Sequence, residues 1–177
     1  HYQPQVNLDD GRVTAMEALL RWRHPELGLV APDQFIPVAE ETGLILPIGD
    51  WVLETACREA QRCNQLCGEQ LAVAVNLSPL ELQRGDPVRR VKRVLAETGL
   101  APGQLELEIT ESSAMRRGEE SIAMLHELTA LGVKLAIDDF GSGYSNLGYL
   151  KRLPVSTLKI DRVFIRDLPD DAEDAAI

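Results

Sequence analysis

The chain has 177 residues, with 18 Lys+Arg against 28 Asp+Glu for a formal net charge of −10, and 45% of its residues are hydrophobic. That is the composition of one soluble globular domain, able to bury about 70% of the surface its unfolded chain exposes. The acidity, with a pI near 4.8, excludes general DNA binding, which needs a basic footprint. No apolar run approaches the roughly 18 residues of a membrane span, and His1-Tyr2-Gln3-Pro4 reads as mid-domain sequence and not as a signal peptide. Three cysteines (Cys57, Cys63, Cys67), an odd number, argue for reduced thiols and a cytoplasmic domain, which leaves open a membrane anchor elsewhere in a parent protein.

In chain order, Tyr2 to Val6 and Val13 to Leu20 read as strands, and Asp33 to Thr42 as a short helix after Pro32, closed by Gly43. From Trp51 to Leu66, the apolar positions Val52, Leu53, Ala56, Cys57, Ala60 and Cys63 recur at three and four, the period of an amphipathic helix. Leu71 to Val75 is a compact apolar strand, and Pro87 opens a helix that stops at Gly99. Leu105, Leu107 and Ile109 alternate with Glu106 and Glu108 as a strand does. Ser121 to Leu131 is helical, Lys134 to Ile137 a strand, Asn146 to Leu153 a helix stopped by Pro154, and Thr157 to Ile160 a strand. Five acids between Asp167 and Asp174 read as a solvated loop leading into a helix start.

Strand-helix alternation implies an α/β fold with parallel strands. A polar residue stands at or near the C-terminal end of successive strands: Glu17, Asn76, Glu108, Asp138 and Lys159. Barrel enzymes assemble their sites from several strand ends at that face, whereas an open doubly wound sheet uses one switch point and a glycine-rich turn that is missing here. The prediction is a (β/α)8 TIM-like barrel in one domain, 1–177. Six strands are fewer than the eight that a barrel of about 250 residues uses, so the domain is expected to be incomplete at its C-terminus.

Glu17, Asn76, Glu108, Asp138 and Asp139 are all oxygen donors, which suit Mg²⁺ or Mn²⁺. Their carboxylates would repel one another unless cations neutralised them, although any one alone could be a surface acid. Asp138-Asp139 could point two ways and serve two metals, the arrangement that clamps an in-line phosphoryl displacement. Lys159 could hold a phosphate oxygen or orient a water; its alternative is an ion pair with Asp161 or a neighbouring acid. Arg21 could bind phosphate through its planar fork or be solvated. The cysteines lack a histidine at ligand spacing and read as core or half-buried thiols. Neither a Ser-His-Asp set nor a Walker A sequence is present, so the hydrolytic chemistry is expected to be metal-driven.

These residues lie in six segments: Met16–Pro25 (MEALLRWRHP), Phe35–Leu44 (FIPVAEETGL), Val75–Ser78 (VNLS), Leu105–Glu111 (LELEITE), Asp138–Ser145 (DDFGSGYS) and Leu158–Asp161 (LKID). Together, and in this order, they closely resemble the EAL-domain family of bacterial cyclic-di-GMP-specific phosphodiesterases. The resemblance implies a barrel whose second strand runs antiparallel, and two Mg²⁺ or Mn²⁺ ions, with Ca²⁺ inhibiting. It implies that Glu17, Asn76, Glu108 and Asp138 ligate the first ion and Asp139 the second. Lys159 matches a lysine at the attacking water, Asp161 its companion at the second-metal side, and Glu111 a glutamate that steadies the 138–145 loop, a segment linked to dimerisation and control. Gln3, Leu20 and Arg21 match substrate contacts.

The implied reaction is hydrolysis of cyclic-di-GMP to linear pGpG. The implied partners are a second copy of the domain and a sensory or diguanylate cyclase module in the parent protein. Gln5, Ser142 and Asn146 depart from the usual family residues without removing a ligand, while the resemblance implies that the family's general-base glutamate is to be expected on strands beyond Ile177. The alternative is a degenerate domain that acts as a cyclic-di-GMP receptor or interaction module without turnover.

Overall fold

The first two strands, β1 (Tyr2–Val6) and β2 (Val13–Ala18), pair antiparallel, with Gln3 opposite Glu17. Residues 7–12 join them in a turn closed by Asn7 N–H on the Arg12 carbonyl at 2.8 Å. That link is far shorter than the crossover of about a dozen residues that a parallel pair needs, so its direction is dictated by chain length. The remaining strands β5 (Ala72–Asn76), β6 (Leu105–Thr110), β7 (Lys134–Phe140) and β8 (Thr157–Ile160) follow β2 in parallel, in the order β1-β2-β5-β6-β7-β8. The resemblance assigned the reversal to the second strand; β2 is parallel to β5, and β1 is the strand that opposes the rest. This computed structural model describes residues 1–115, 119–141 and 147–164; the expected acidic loop at 167–174, Ser142–Ser145 of the glycine loop and Asn146 lie outside them.

The strand order never reverses, as it would at the switch point of a doubly wound sheet. The sheet also curls. In a flat sheet, β2 and β8 would lie about 19 Å apart across three intervening strands, yet Lys159 Nζ on β8 is 3.2 Å from Glu17 Oε2 on β2. This is the curvature of a barrel wall, and it matches the α/β barrel reading.

Register assigns the two faces. Through the pairs Gln3–Glu17, Glu17–Ala74, Asn76–Glu108, Glu108–Ala136 and Ala136–Thr157, the concave face carries Gln3, Glu17, Asn76, Glu106, Glu108, Asp138, Thr157 and Lys159. The convex face carries Val73, Val75, Leu105, Leu107, Ile109, Leu135 and Ile137, each at most 1% exposed. Helices cover that convex face: α2 (Ile45–Cys67) with Leu53, Ala56, Cys57 and Ala60, α4 (Pro87–Thr98) with Val91 and Val94, and α6 (Glu119–Ala130) with Leu125 and Leu128. The core therefore lies outside the sheet and the polar chemistry inside it. None of the helices among the described residues is long and apolar enough to cross a membrane.

Several boundaries differ from the sequence reading. Helix α2 begins at Ile45 and not at Trp51, because Pro47 falls in its first turn, where its missing N–H removes no helical bond. Beyond α1 (Pro32–Thr42), which opens on Pro32, the sequence reading passed over the hairpin β3 (Trp22–His24) and β4 (Gly28–Val30) and the helix α3 (Pro79–Arg84). The hairpin strands are too short to show a period. The helix was signalled by a capping box, since Ser78 Oγ accepts from Glu81 N–H at 3.2 Å and Glu81 Oε2 accepts from Ser78 N–H at 2.9 Å. A one-turn helix α5 (Glu111–Met115) follows β6, and α7 spans Leu147–Leu150, ending before Leu153, the residue that Pro154 keeps out of helical geometry. Strand β2 stops at Ala18, two residues short of the expected end. Of the thiols, Cys57 is buried and Cys63 half-buried, but Cys67 is exposed at the last position of α2 and not in the core.

Leu107, fully buried between the sheet and its helices, should cost about 2–5 kcal/mol of stability on truncation to Ala. Leu66→Ala, at a position 73% exposed, should change it by less than about 0.5 kcal/mol. Urea denaturation of both variants checks this, and equal losses would contradict the placement of the core.

Candidate active site

Four strands deliver their end residues to one point on the concave face. Glu17 leaves β2, Asn76 β5, Glu108 β6 and Asp138 β7, and Lys159 of β8 reaches across to them. Lys159 Nζ lies 2.7 Å from Glu108 Oε2, 3.2 Å from Glu17 Oε2 and 3.3 Å from Asp138 Oδ1. Asn76 Nδ2 donates to Glu17 Oε1 at 3.0 Å, which orients that carboxylate toward the ammonium. The Glu108 side chain is fully buried, and its second oxygen, Oε1, has no hydrogen-bond partner.

Asp138 and Asp139 owe their arrangement to a β-bulge. Between the pairs Ile137–Leu158 and Phe140–Ile160, β7 has one residue more than β8, so both aspartates stand against Lys159. Asp139 carries the extra turn in left-handed backbone, at φ 52, where Asp is tolerated better than most residues. The bulge breaks the strict alternation that would have sent Asp139 to the convex face.

The local electrostatics follow from this crowding. Burial, with the charges of Glu17 and Asp138 added, pushes the Glu108 carboxyl up to about 7 against the pull of Lys159. For Lys159, burial alone would lower the ammonium, but its hydrogen bond to Glu108 and the charges of Glu108, Asp138 and Glu17 outweigh it and raise the group. Asp139 is raised by burial, then by Asp138 and Asp161, with Lys159 and Arg162 opposing. The site thus holds more negative charge than one ammonium balances.

The remaining candidates sit around this centre. Gln3, exposed, stands opposite Glu17 in the β1–β2 register. Leu20 and Arg21 continue past the end of β2, and Arg21 Nη1 donates to the Leu20 carbonyl at 2.8 Å. They line two cavities that share a wall: one of about 290 Å³ beside Trp51 and Arg23, and one of about 350 Å³ that reaches Asn76 and Thr110. Glu111 is buried at the start of α5 and accepts from Gly141 N–H at 3.4 Å, so it touches the beginning of the glycine loop and not the ammonium. Asp161 Oδ1 accepts from Val163 N–H at 3.0 Å and caps the turn at Arg162–Phe164; its charge reaches Asp139, but it does not join the Lys159 cluster. Gly141, at φ 97, lets the Phe164 ring pack closely, since a Cβ there would lie 2.6 Å from it.

An acid cluster on strand ends, one ammonium among it and an arginine at the rim can hold cations and a phosphate ester, and comparison with known proteins narrows the reading. The family description "EAL domain" matches residues 1–177. The chain belongs to the EAL domain family. It is 50% identical over 177 residues to the bifunctional diguanylate cyclase/cyclic di-GMP phosphodiesterase MucR of Pseudomonas aeruginosa, covering 100% of this chain and 26% of MucR. It is 48% identical over 177 residues to the cyclic di-GMP phosphodiesterase NbdA of the same organism, again over 100% of this chain but 23% of NbdA. The chain therefore spans about a quarter of the length of these curated relatives. A solved structure of the MucR phosphodiesterase in complex with c-di-GMP superposes with a TM-score of 0.91 at 51% identity, covering 99% of this chain and 71% of that one. The EAL triplet is Glu17-Ala18-Leu19, and its glutamate is the residue of β2 that meets Lys159.

The sequence reading missed the pair Glu81 and Arg90 behind this EAL site, buried at 3% and 9% exposure with Arg90 Nη1 2.7 Å from Glu81 Oε1. The Ser78-x-x-Glu81 spacing was the available signal.

Glu108 makes a pH prediction. Its carboxyl is raised in the folded protein, so the stability it contributes is full below about 4.5 and is lost as pH rises through about 7. In the presence of EDTA, the stability difference between Glu108→Gln and the wild type should therefore shift in favour of the variant from pH 4.5 to 8. Identical pH slopes for the two proteins in denaturant titrations would contradict the assignment.

Proposed function

We propose that this chain is the metal-dependent cyclic-di-GMP hydrolysing part of its parent protein, cutting one 3′–5′ phosphodiester to give linear pGpG. The observation that carries the reading is the convergence of Glu17, Glu108 and Asp138 on Lys159, with a buried Glu108 oxygen left without a partner. It is supported by the names of MucR and NbdA and by the c-di-GMP complex of the MucR phosphodiesterase.

The donor chemistry fits divalent cations. All candidate ligands are oxygens, and the orphaned Glu108 Oε1 is a buried acceptor that a cation would satisfy. Among the described residues, no three His, Cys, Asp or Glu side chains already form a closed metal cluster; the acids gather instead on the Lys159 ammonium. Glu17, Asn76, Glu108 and Asp138 would hold one Mg²⁺ or Mn²⁺, and Asp139 the second. Bound there, such ions supply Lewis-acid stabilisation of the attacking and leaving oxygens.

The chain's own residues do the rest. The Lys159 ammonium, kept charged by three carboxylates, offers N–H donors to a phosphoryl oxygen or to the incoming water. Arg21 stands at the rim with a guanidinium suited to the phosphate, and Gln3 lies opposite Glu17 in the β1–β2 register. The cavity of about 350 Å³ beside Leu20, Ile36 and Asn76 has the size and apolar walls of a base-binding pocket. Glu111 holds the start of the glycine loop through Gly141, which keeps Asp139 at its turn. A homodimer through the barrel and a sensory or diguanylate cyclase module in the parent protein complete the proposal; the two activities in the name of MucR support the cyclase module.

In the full-length protein with Mg²⁺, Glu17→Ala and Lys159→Ala should each lower pGpG formation by about 10²–10³-fold, read by ion-exchange separation of products. Turnover at the wild-type rate in both variants would overturn the site assignment. Nucleotide binding without turnover in the wild type would favour the receptor alternative. Lys159→Met should in addition bind Mn²⁺ more tightly by electron paramagnetic resonance, because a competing ammonium is gone. Weaker Mn²⁺ binding in that variant would mean that the lysine supports the cation and does not oppose it.

A further inference from the structure

Behind the site lies a buried ion pair that the reaction itself does not use. Glu81 of α3 is 3% exposed and Arg90 of α4 is 9% exposed, with Arg90 Nη1 2.7 Å from Glu81 Oε1 and 3.5 Å from Asp50 Oδ1 on α2. As a stabilising device the pair is poor. Arg90 Nε and Nη2 are buried without hydrogen-bond partners, and buried pairs of this kind are commonly matched or bettered by apolar residues. Room for the carboxylate comes from Gly49 inside α2, where a Cβ would lie 1.9 Å from Glu81 Oε1, although glycine in a helix interior is itself destabilising. Three features that each cost stability meet on one carboxylate.

The other oxygen of that carboxylate explains them. Glu81 Oε2 accepts from Ser78 N–H at 2.9 Å, and Ser78 lies two residues after Asn76, the last residue of β5. Between them, Leu77 N–H donates to the Glu108 carbonyl at 2.8 Å, so residues 76–78 are tied on one side to β6 and on the other to Glu81. Asn76, Leu77, Ser78 and Glu81 line the same cavity of about 350 Å³. We infer that the Glu81–Arg90 pair is a positioning device: it fixes the turn after β5, and so sets where the Asn76 amide stands against Glu17. The inference rests on the reading of Asn76 as part of a cation site, and it makes Glu81 and Arg90 positioning residues that do not themselves ligate the cation.

The test compares full-length wild type with Glu81→Gln, Gly49→Ala and Leu128→Ala, the last a core truncation in α6 that serves as a stability control. Glu81→Gln keeps an acceptor for Ser78 N–H but leaves the Arg90 charge with Asp50, at 3.5 Å, as its anionic partner. Gly49→Ala keeps both charges and raises helix propensity, but drives a methyl group into the carboxylate. The readouts are Mn²⁺ affinity by electron paramagnetic resonance, and the side-chain amide resonance of Asn76 in the metal-free protein, both below the melting temperature of every variant.

Both site variants should bind Mn²⁺ about tenfold more weakly and shift the Asn76 amide, whereas Leu128→Ala, with a comparable fall in melting temperature, should do neither. If Glu81→Gln does not fold, Gly49→Ala alone decides. Wild-type Mn²⁺ affinity and an unmoved Asn76 amide in the folded variants would overturn the inference and leave the pair a structural one. A wild type that never cleaves cyclic-di-GMP would sink the proposed activity, but the amide shift would still judge the positioning role.

Discussion

The Lys159 ammonium among Glu17, Glu108 and Asp138 is the contact on which the rest of the architecture turns. Three carboxylates within a few ångströms of one another repel, and one of them is entirely buried. A single cation from the far strand offsets that repulsion only if the sheet curls enough to bring β8 over to β2. The polar ends therefore need the curvature, and the curvature needs a continuous apolar convex surface against α2, α4 and α6. Charge in the middle and packing outside are two halves of one constraint.

The compensation is incomplete, and the remainder is informative. Glu108 keeps an unpartnered buried oxygen and a carboxyl raised to about 7 even beside Lys159. A protein selected for stability alone would replace such a group with an apolar one. Retaining it fits the cation site proposed above. The bulge at Asp138-Asp139 belongs to the same pattern, for it accepts a left-handed aspartate in order to turn a second acid toward the centre. The buried Glu81–Arg90 pair and Gly49 extend it outward by one layer.

Much of this was legible without coordinates. The six strands of the main sheet were readable from alternation, apolar runs and proline or glycine punctuation, because those signals are local. The strand-end acids stood out because a parallel sheet places its chemistry at C-terminal ends. The hairpin Trp22–Val30 was illegible because three-residue strands carry no period. The start of α2 was misjudged because Pro47 and Gly49 look like breakers, although one falls in the first turn and the other makes room for Glu81. Asp161 read as a companion of Lys159 on the second-metal side; its carboxylate caps the turn that follows it, and its charge reaches Asp139.

Residue type and spacing by themselves determined the alternating α/β chain, the oxygen-only donor set and the order of the strand-end acids, since each depends on a few neighbouring positions. Only the tertiary structure decided that β1 and not β2 is the reversed strand, that both aspartates face one lysine, and that Glu17 and Lys159, 142 residues apart, are in contact. Those outcomes depend on register, on one inserted residue and on the curl of a whole sheet. Such quantities are sums over many long-range pairings, and no local stretch of sequence carries them.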